Sequence, residues 1–286
     1  MHVIGGSAGS EVASDLATIL GAEMLALESK RFPDDERYVR ILSDIQGEQV
    51  IVVQTTYPDE NIIELLLLLD AVAEAGARKI ILVIPYMGYS RQDKKFKDGE
   101  AISARAIAQA LSPHVDIVIA VDPHKQEILE FFDAKAVACS AIEEIAEALK
   151  KKQVDFILAP DKGALASAKT AAKIIGCEYD YMEKTRIDGE TVKIKPKSLD
   201  AKGRRVGIID DIISTGGTMA KSIAELKKQN AKEIFVCCTH GLFVGTAIEK
   251  LEKAGCSKIM CTNTIKRPMS CISVAPAIAR KIQEIL

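Results

Sequence analysis

Short apolar runs, separated by longer stretches with helical periodicity, set the rhythm of this chain. The clearest are VIVVQ at 50, KIILVIPY at 79, DIVIAVD at 116, DFILAPD at 155, RVGIID at 205 and EIFVCCTH at 233. They carry apolar residues on both faces, as strands covered above and below require. Amphipathic or Ala-rich stretches separate many of them, including the very apolar IIELLLLLDAVAEAG from 62 and the charged AIEEIAEALKKKQ from 141. Strand and helix alternating in this way predict an α/β fold with mainly parallel sheets.

The pattern also repeats. GSEVASDLATILGAEM (9–24) parallels ALASAKTAAKIIGCEY (164–179) at an offset of 155 residues, and VIVVQTT (50–56) parallels VGIIDDI (206–212) at 156. GARKI (76–80) parallels NAKEI (230–234), and DDE (34–36) parallels DGE (188–190), both at 154. Any one match is weak, but four in order at nearly one offset indicate a tandem duplication. The expected domains are 1–145 and 146–286, with the junction in the charged helix near residue 145. A last helix starts at Ala275, and the pattern leaves open which half it packs against. The halves are not equivalent in chemistry. Where the second has Asp210-Asp211 and Gly216-Gly217, the first has Gln54-Thr55 and Glu60-Asn61.

Composition narrows the class. A chain of 286 residues with 48% hydrophobic and 27% charged residues has material for substantial cores. A formal net charge of −2 gives no reason to expect a nucleic-acid or anionic-membrane surface. The N-terminus, MHVIGGSAGSEVA, lacks a signal peptide's basic start and apolar run, and the most apolar segment is too short to span a bilayer. Seven cysteines without C-x-x-C or zinc spacing suit a reducing compartment, and the chain reads as cytoplasmic.

The densest chemistry lies in VGIIDDIISTGGT, 206–218. An apolar run meets two adjacent acids, Asp210 and Asp211. The small-residue loop Ser214-Thr215-Gly216-Gly217-Thr218 follows, and then a helical pattern. Such a loop can turn several N–H groups toward one point at a helix's positive end, which makes a cradle for phosphate. The acids are placed for sugar hydroxyls or a metal, where the strand is expected to leave the sheet. Phosphate and polyol together indicate a phosphorylated sugar. A tight turn capped by Ser214 or Thr215 would explain the hydroxyls and glycines but not the acid pair.

Five further segments carry candidates. YSRQDKKFKDGE (89–100) offers Arg91, Lys94, Lys95 and Lys97 to a polyphosphate and the Gln92 amide to a base edge, against an ordinary solvated loop. VDPHKQEILEFF (121–132) ends a strand with Asp122 and His124. APDKGALASA (159–168) ends one with Asp161 before a helix N-terminus, where anion binding and N-capping are equally good readings. EKTRIDGETVKI (183–194) sets Lys184 and Arg186 on one face of a strand before a hairpin turn at Asp188-Gly189. KRFPDDERYVRI (30–41) reads as a turn with an acidic edge. Neither a Walker phosphate loop nor a G-x-G-x-x-G fingerprint is present.

The 206–218 segment resembles the phosphoribosyl-pyrophosphate loop shared by type I phosphoribosyltransferases and ribose-phosphate pyrophosphokinases. Six other segments resemble the latter family alone, in its order along the chain: Phe-x-Asp at 32, Tyr-x-Arg-Gln-Asp-Lys at 89, Asp-x-His at 122, Pro-Asp at 160, Lys-x-Arg at 184 and Thr-His-Gly-Leu-Phe at 239. The resemblance implies two tandem phosphoribosyltransferase-like domains. It implies transfer of the diphosphate of Mg-ATP to the C1 hydroxyl of ribose 5-phosphate. By residue, it implies that Lys184 and Arg186 are catalytic, and that Phe32, Asp34, Glu36, Arg91 and Gln92 bind ATP. Arg186, Asp210, Asp211, Ser214, Thr215, Gly216, Gly217 and Thr218 would hold ribose 5-phosphate. Mg²⁺ would sit by His124 and Asp161, the imidazole reaching it through water because it is a poor ligand for so hard a cation. An adenine site shared across subunits would make the enzyme a homo-oligomer, at least a dimer. Two departures stand out: Asp35 in place of a usual glycine, and Ser214 in place of a frequent aspartate. A phosphoribosyltransferase would leave the Arg-Gln and Phe-x-Asp segments without a purpose. A catalytically silent regulatory relative would have no need of Lys184, Arg186, Asp210 and Asp211 together.

Overall fold

Parallel strands that are apolar on both faces need helices above and below, and the chain supplies this arrangement twice. A computed structural model describes residues 1–186, 192–196 and 200–286. The chain divides into two compact units. Unit 1 comprises residues 1–140, 264–266 and 273–286; unit 2 comprises 141–263 and 267–272.

In unit 1 the elements are β1 (His2–Gly5), α1 (Ser10–Leu20), β2 (Glu23–Met24), β3 (Leu27–Arg31), β4 (Arg37–Ile41), β5 (Gln49–Val53), α2 (Glu60–Glu74), β6 (Lys79–Ile84), α3 (Ser103–Leu111), β7 (Ile117–Val121) and β8 (Lys135–Cys139). Six of the strands form one parallel sheet in the order β2-β1-β5-β6-β7-β8, and β3 and β4 form a separate antiparallel hairpin. Alternate residues of the strands serve opposite faces. Val50, Val52, Ile80, Leu82 and Ile84 meet Leu65, Leu68, Leu69 and Val72 of α2 in one fully buried cluster. Each such side chain contributes about 1.5–3 kcal/mol by leaving water.

Unit 2 contains α4 (Ile142–Lys150), β9 (Phe156–Ala159), α5 (Leu165–Ile175), β10 (Glu178–Arg186), β11 (Val192–Pro196), β12 (Arg205–Ile213), α6 (Gly217–Lys228), β13 (Glu233–Gly241), α7 (Ala247–Ala254), β14 (Lys258–Thr262) and β15 (Ser270–Ile272). Its sheet order is β11-β10-β9-β12-β13-β14-β15, parallel except for the β10–β11 pair. Phe156, Leu158, Val206 and Ile208 pack toward Ile223 and Leu226 of α6. Ile157, Ile209, Phe235 and Cys237 pack the other face against Ala168 and Ala172 of α5.

The series β2-β1-β5-β6-β7-β8 and β10-β9-β12-β13-β14-β15 are the same order, element for element, as a duplication predicts. The division of the chain differs from the expected one. The units part between Ser140 and Ala141, and the second does not run to residue 286, because unit 1 takes back 264–266 and 273–286. The reason lies in α8 (Ala275–Ile285), whose Ala275, Ile278, Ala279 and Ile282 are buried. It packs on α1 and reaches β7 and β8. Ser273 donates to Asp15 at 2.7 Å, and the Thr55 hydroxyl donates to the Thr264 carbonyl at 2.6 Å.

Truncating Ile282, which is 1% exposed, to alanine should cost about 2–4 kcal/mol. Hydrogen exchange should then speed up in α1, β7 and β8 and leave β12–β14 unchanged. Equal loss of protection in both units would contradict the assignment of α8 to unit 1.

Candidate functional site

In unit 2 the site starts from an asymmetry in how β12 is paired. Toward β9 it is bonded only from Val206 to Ile208, after which β9 ends and its chain turns away at Ala159. Toward β13 the ladder continues as far as Ile213 opposite Gly241. Asp210 and Asp211 therefore lie on a strand with one neighbour missing, at the carboxyl end of a parallel sheet, where such folds open a crevice. The expectation that the strand ends at the acids is corrected: the long β13 supplies partners for Ile212 and Ile213 beyond them.

The acid pair is held by its own backbone. The Asp211 N–H donates to Asp210 Oδ1 at 3.0 Å, and the Ile212 N–H to Asp211 Oδ1 at 2.7 Å. Burial, then the adjacent Asp211 charge, and more weakly Asp161, push the Asp210 carboxyl up to about 8. Asp161 follows β9, and its Oδ1 accepts from the Gly163 N–H at 2.9 Å. It does not cap α5, which begins after Ala164 without a side-chain cap.

The loop at 214–218 is anchored through its carbonyls. Ile213 O accepts from the N–H groups of Leu242 and Phe243, Ser214 O from Val244 at 2.9 Å, and Thr215 O from Lys250 Nζ at 3.0 Å. Gly216 sits at φ 70°, and a Cβ there would lie 3.3 Å from Ala247 O and 3.4 Å from Leu251 Cγ. Both the left-handed backbone and the approach of α7 demand glycine. No side chain caps α6, so the capping role open to Ser214 or Thr215 is not used. Among the described residues, none accepts from the N–H groups of Thr215 to Thr218. A row of unpaired N–H groups at a helix N-terminus, anchored from behind, is the arrangement an anion site requires. Lys250 is a participant the sequence did not mark, since nothing local distinguishes it from other lysines on a helix face.

Lys184 and Arg186 belong by backbone to β10, opposite Ile194 and Val192 of β11. Their side chains, and the expected turn at Asp188-Gly189, lie outside the described residues.

Unit 1 gathers the other candidates. Phe32, Asp34 and Glu36 form the tip of the β3–β4 hairpin, which the Phe32 N–H closes on Glu36 O at 2.9 Å. Phe32 is 43% exposed and meets Tyr38 edge-on. Asp35 adopts φ 71°, so aspartate takes up the left-handed conformation that a glycine would adopt freely. Arg31 secures it through the carbonyl at 2.8 Å and the carboxylate at 3.0 Å. A groove of about 410 Å³ runs beside the hairpin, lined by Arg31, Glu36, Arg37, Glu60, Ile63 and Leu67 among others.

The Arg-Gln loop follows β6, with Arg91 exposed. The Gln92 amide nitrogen is used within the loop, on Glu100 at 3.3 Å and the Lys94 carbonyl at 3.4 Å. Contact with a base would then fall to its oxygen. Asp93 pairs with Lys125 at 2.7 Å, tying this loop to the segment that carries Asp122 and the exposed His124 after β7. That pairing holds the Asp93 carboxyl below its ordinary range and the Lys125 ammonium above it. The structure thus brings Arg91, Gln92 and His124 onto two joined loops.

Known proteins resemble this chain along nearly its whole length. Residues 1–114 match the N-terminal domain of ribose phosphate pyrophosphokinase, and residues 127–278 match the phosphoribosyl transferase domain. The ribose-phosphate pyrophosphokinase of Thermococcus kodakarensis is 45% identical over 278 residues, covering 96% of this chain and 98% of that protein. The one from Methanosarcina acetivorans is 41% identical over the whole of both chains. The crystal structure of phosphoribosylpyrophosphate synthetase from Mycobacterium smegmatis superposes with a TM-score of 0.83 at 27% identity, covering 99% of this chain and 98% of that one.

The raised Asp210 carboxyl has a thermodynamic consequence. An acid at 3.8 when unfolded and about 8 when folded carries no penalty below pH 4, then destabilises the substrate-free fold increasingly up to pH 8. Asp210→Asn, which imitates the protonated form, should melt with the parent near pH 4 and increasingly above it as the pH rises to 8. A melting difference that does not change with pH would refute the shift.

Proposed function

Because the chain belongs to the ribose-phosphate pyrophosphokinase family, we propose that its two units divide the work of that reaction, unit 2 holding ribose 5-phosphate and unit 1 holding ATP. The chain is an enzyme that transfers the diphosphate of ATP to the C1 hydroxyl of ribose 5-phosphate, giving phosphoribosyl pyrophosphate and AMP. The observation that carries the division of roles is the row of free N–H groups from Thr215 to Thr218 directly after Asp210 and Asp211.

The 5-phosphate binds those N–H groups, with Ser214, Thr215 and Thr218 adding hydroxyls. Ser214 does this without the charge of the aspartate often found there, so the cradle carries one negative charge fewer beside a phosphate. Asp210 and Asp211 take the ribose hydroxyls. The C1 oxygen then bonds to the β-phosphorus, the bridge to the α-phosphate breaks, and AMP leaves; the proton of the C1 hydroxyl passes to solvent. Both reactants are anionic, so alignment and charge neutralisation dominate. Lys184 and Arg186 supply cations at the transferring diphosphate, and Arg186 also meets the ribose phosphate side. Phe32, Asp34 and Glu36 receive the adenosine, with the Gln92 oxygen on the base edge, and Arg91 meets the polyphosphate.

Among the described residues no ready-made cluster of three metal-ligating side chains is present. That fits Mg²⁺, which takes one or two carboxylates and completes its shell with substrate phosphates and water. Asp161, close enough to Asp210 to raise its carboxyl, would hold the cation as its carboxylate ligand, and His124 would meet it through water. When bound, the cation neutralises the diphosphate. The hairpin tip, exposed from Arg31 to Glu36, suits a partner completing the adenine site, so the working form is at least a dimer. Among the described residues no helix is long and apolar enough to cross a membrane, and seven free cysteines favour the reducing cytoplasm.

The direct test is AMP formation from Mg-ATP with and without ribose 5-phosphate, no nucleobase being present; release should depend on the sugar and match phosphoribosyl pyrophosphate. Lys184→Ala should lower kcat by roughly 10²–10³ with an unchanged melting temperature, and near-parental turnover would remove Lys184 from catalysis. Gly216→Val should raise KM for ribose 5-phosphate by about tenfold or more while sparing KM for ATP, as loss of a few hydrogen bonds to a charged group implies.

A further inference from the structure

Glu64 lies on α2 with no exposure at all. Its Oε1 accepts from the Ser7 N–H at 3.3 Å and from Ser29 Oγ at 2.6 Å. Its Oε2 accepts from Gln54 Nε2 at 2.9 Å and from Ser7 Oγ. These donors come from the loop after β1, the end of β5 and the hairpin strand β3. At the repeat offset of the neighbouring strand, 156 residues, Gln54 corresponds to Asp210 and Glu64 to Ala220. The corner that carries the acid pair in unit 2 is thus filled in unit 1 by a carboxylate of the protein itself.

Building on the assignment of the hairpin tip to ATP, we infer that Glu64 is a positioning residue for the nucleotide. It fixes Ser29, to which Arg37 of β4 also donates at 3.4 Å, and so sets both strands of the hairpin against the sheet loops. The bonding requires a carboxylate. One oxygen faces the Ser7 N–H, a fixed donor, and the other faces the Gln54 amide nitrogen. That amide cannot turn over without loss, because its Oε1 accepts from the Ala8 N–H at 3.0 Å. A glutamine at 64 would set N–H against N–H on one side or the other, leaving a buried donor unpaired.

The test measures kcat and KM for both substrates in Glu64→Gln, in Ser29→Ala, and in the exchange variant Glu64→Gln with Gln54→Glu. In the exchange the carboxylate moves to 54, accepting from Ala8 and from the new amide at 64. Glu64→Gln should raise KM for ATP about tenfold, with KM for ribose 5-phosphate within about twofold. Ser29→Ala, which leaves the buried acid in place, should raise KM for ATP about threefold. The exchange should bring it back to within about threefold of the parent. An unchanged KM for ATP in both Glu64→Gln and Ser29→Ala, equal rises for the two substrates, or failure of the exchange to rescue would overturn the inference. Phe32→Ala separates it from the reading beneath: if that variant binds ATP normally, the hairpin assignment fails, and if it alone weakens ATP, only the role of Glu64 fails.

Discussion

The unequal pairing of β12 is the constraint on which the site depends. Bonded to β9 only as far as Ile208 but to β13 as far as Ile213, the strand carries Asp210 and Asp211 rigidly beyond the point where its neighbour has turned away. A symmetric ladder would cover these positions, and a strand ending at Ile209 would leave the acids on a mobile turn. The cost is visible in the Asp210 carboxyl, raised because two acids share a partly buried crevice. A bound cation or a polyol able to donate hydrogen bonds relieves that cost, so the site is built to be completed by what it binds.

The anion cradle follows from the same strand. Once β12 ends, the carbonyls of Ile213, Ser214 and Thr215 are drawn toward the 242–244 segment and Lys250, and the N–H groups are left facing the other way. Gly216 permits this through its positive φ and by admitting α7. As proposed, phosphate would be met by backbone direction, with the loop's side chains in a supporting part. This explains how serine can stand at 214 without dismantling the cradle.

Duplication gave two copies of one sheet order, and the copies diverged in how they treat this corner. Unit 2 leaves it open, ringed by Asp161, Asp210 and free N–H groups. Unit 1 fills it with Glu64 and Gln54, which tie the loop after β1, the end of β5 and the hairpin together. What unit 1 presents instead is a hairpin tip and two charged loops linked by Asp93 and Lys125.

Much of this was legible in the chain. Apolar runs located the central strands, since a parallel strand covered on both faces leaves no alternative composition. The repeat offset anticipated two related sheets, and the small-residue loop after two acids marked the segment proposed here for phosphate. Other features exist only in three dimensions. Nothing near Ile282 says that α8 returns to unit 1, because an amphipathic helix declares that it has an apolar face and not what will cover it. The extension of β12 past its acids depends on the length of β13, a partner more than twenty residues away. Lys250 and Glu64 read as one helix lysine among many and one acid in a greasy helix until the chain brings them to Thr215 and to Ser7, Ser29 and Gln54. Sequence determines which groups are available and the local shapes they favour; hydrogen bonds between distant segments, fixed only by tertiary packing, decide which of those groups meet.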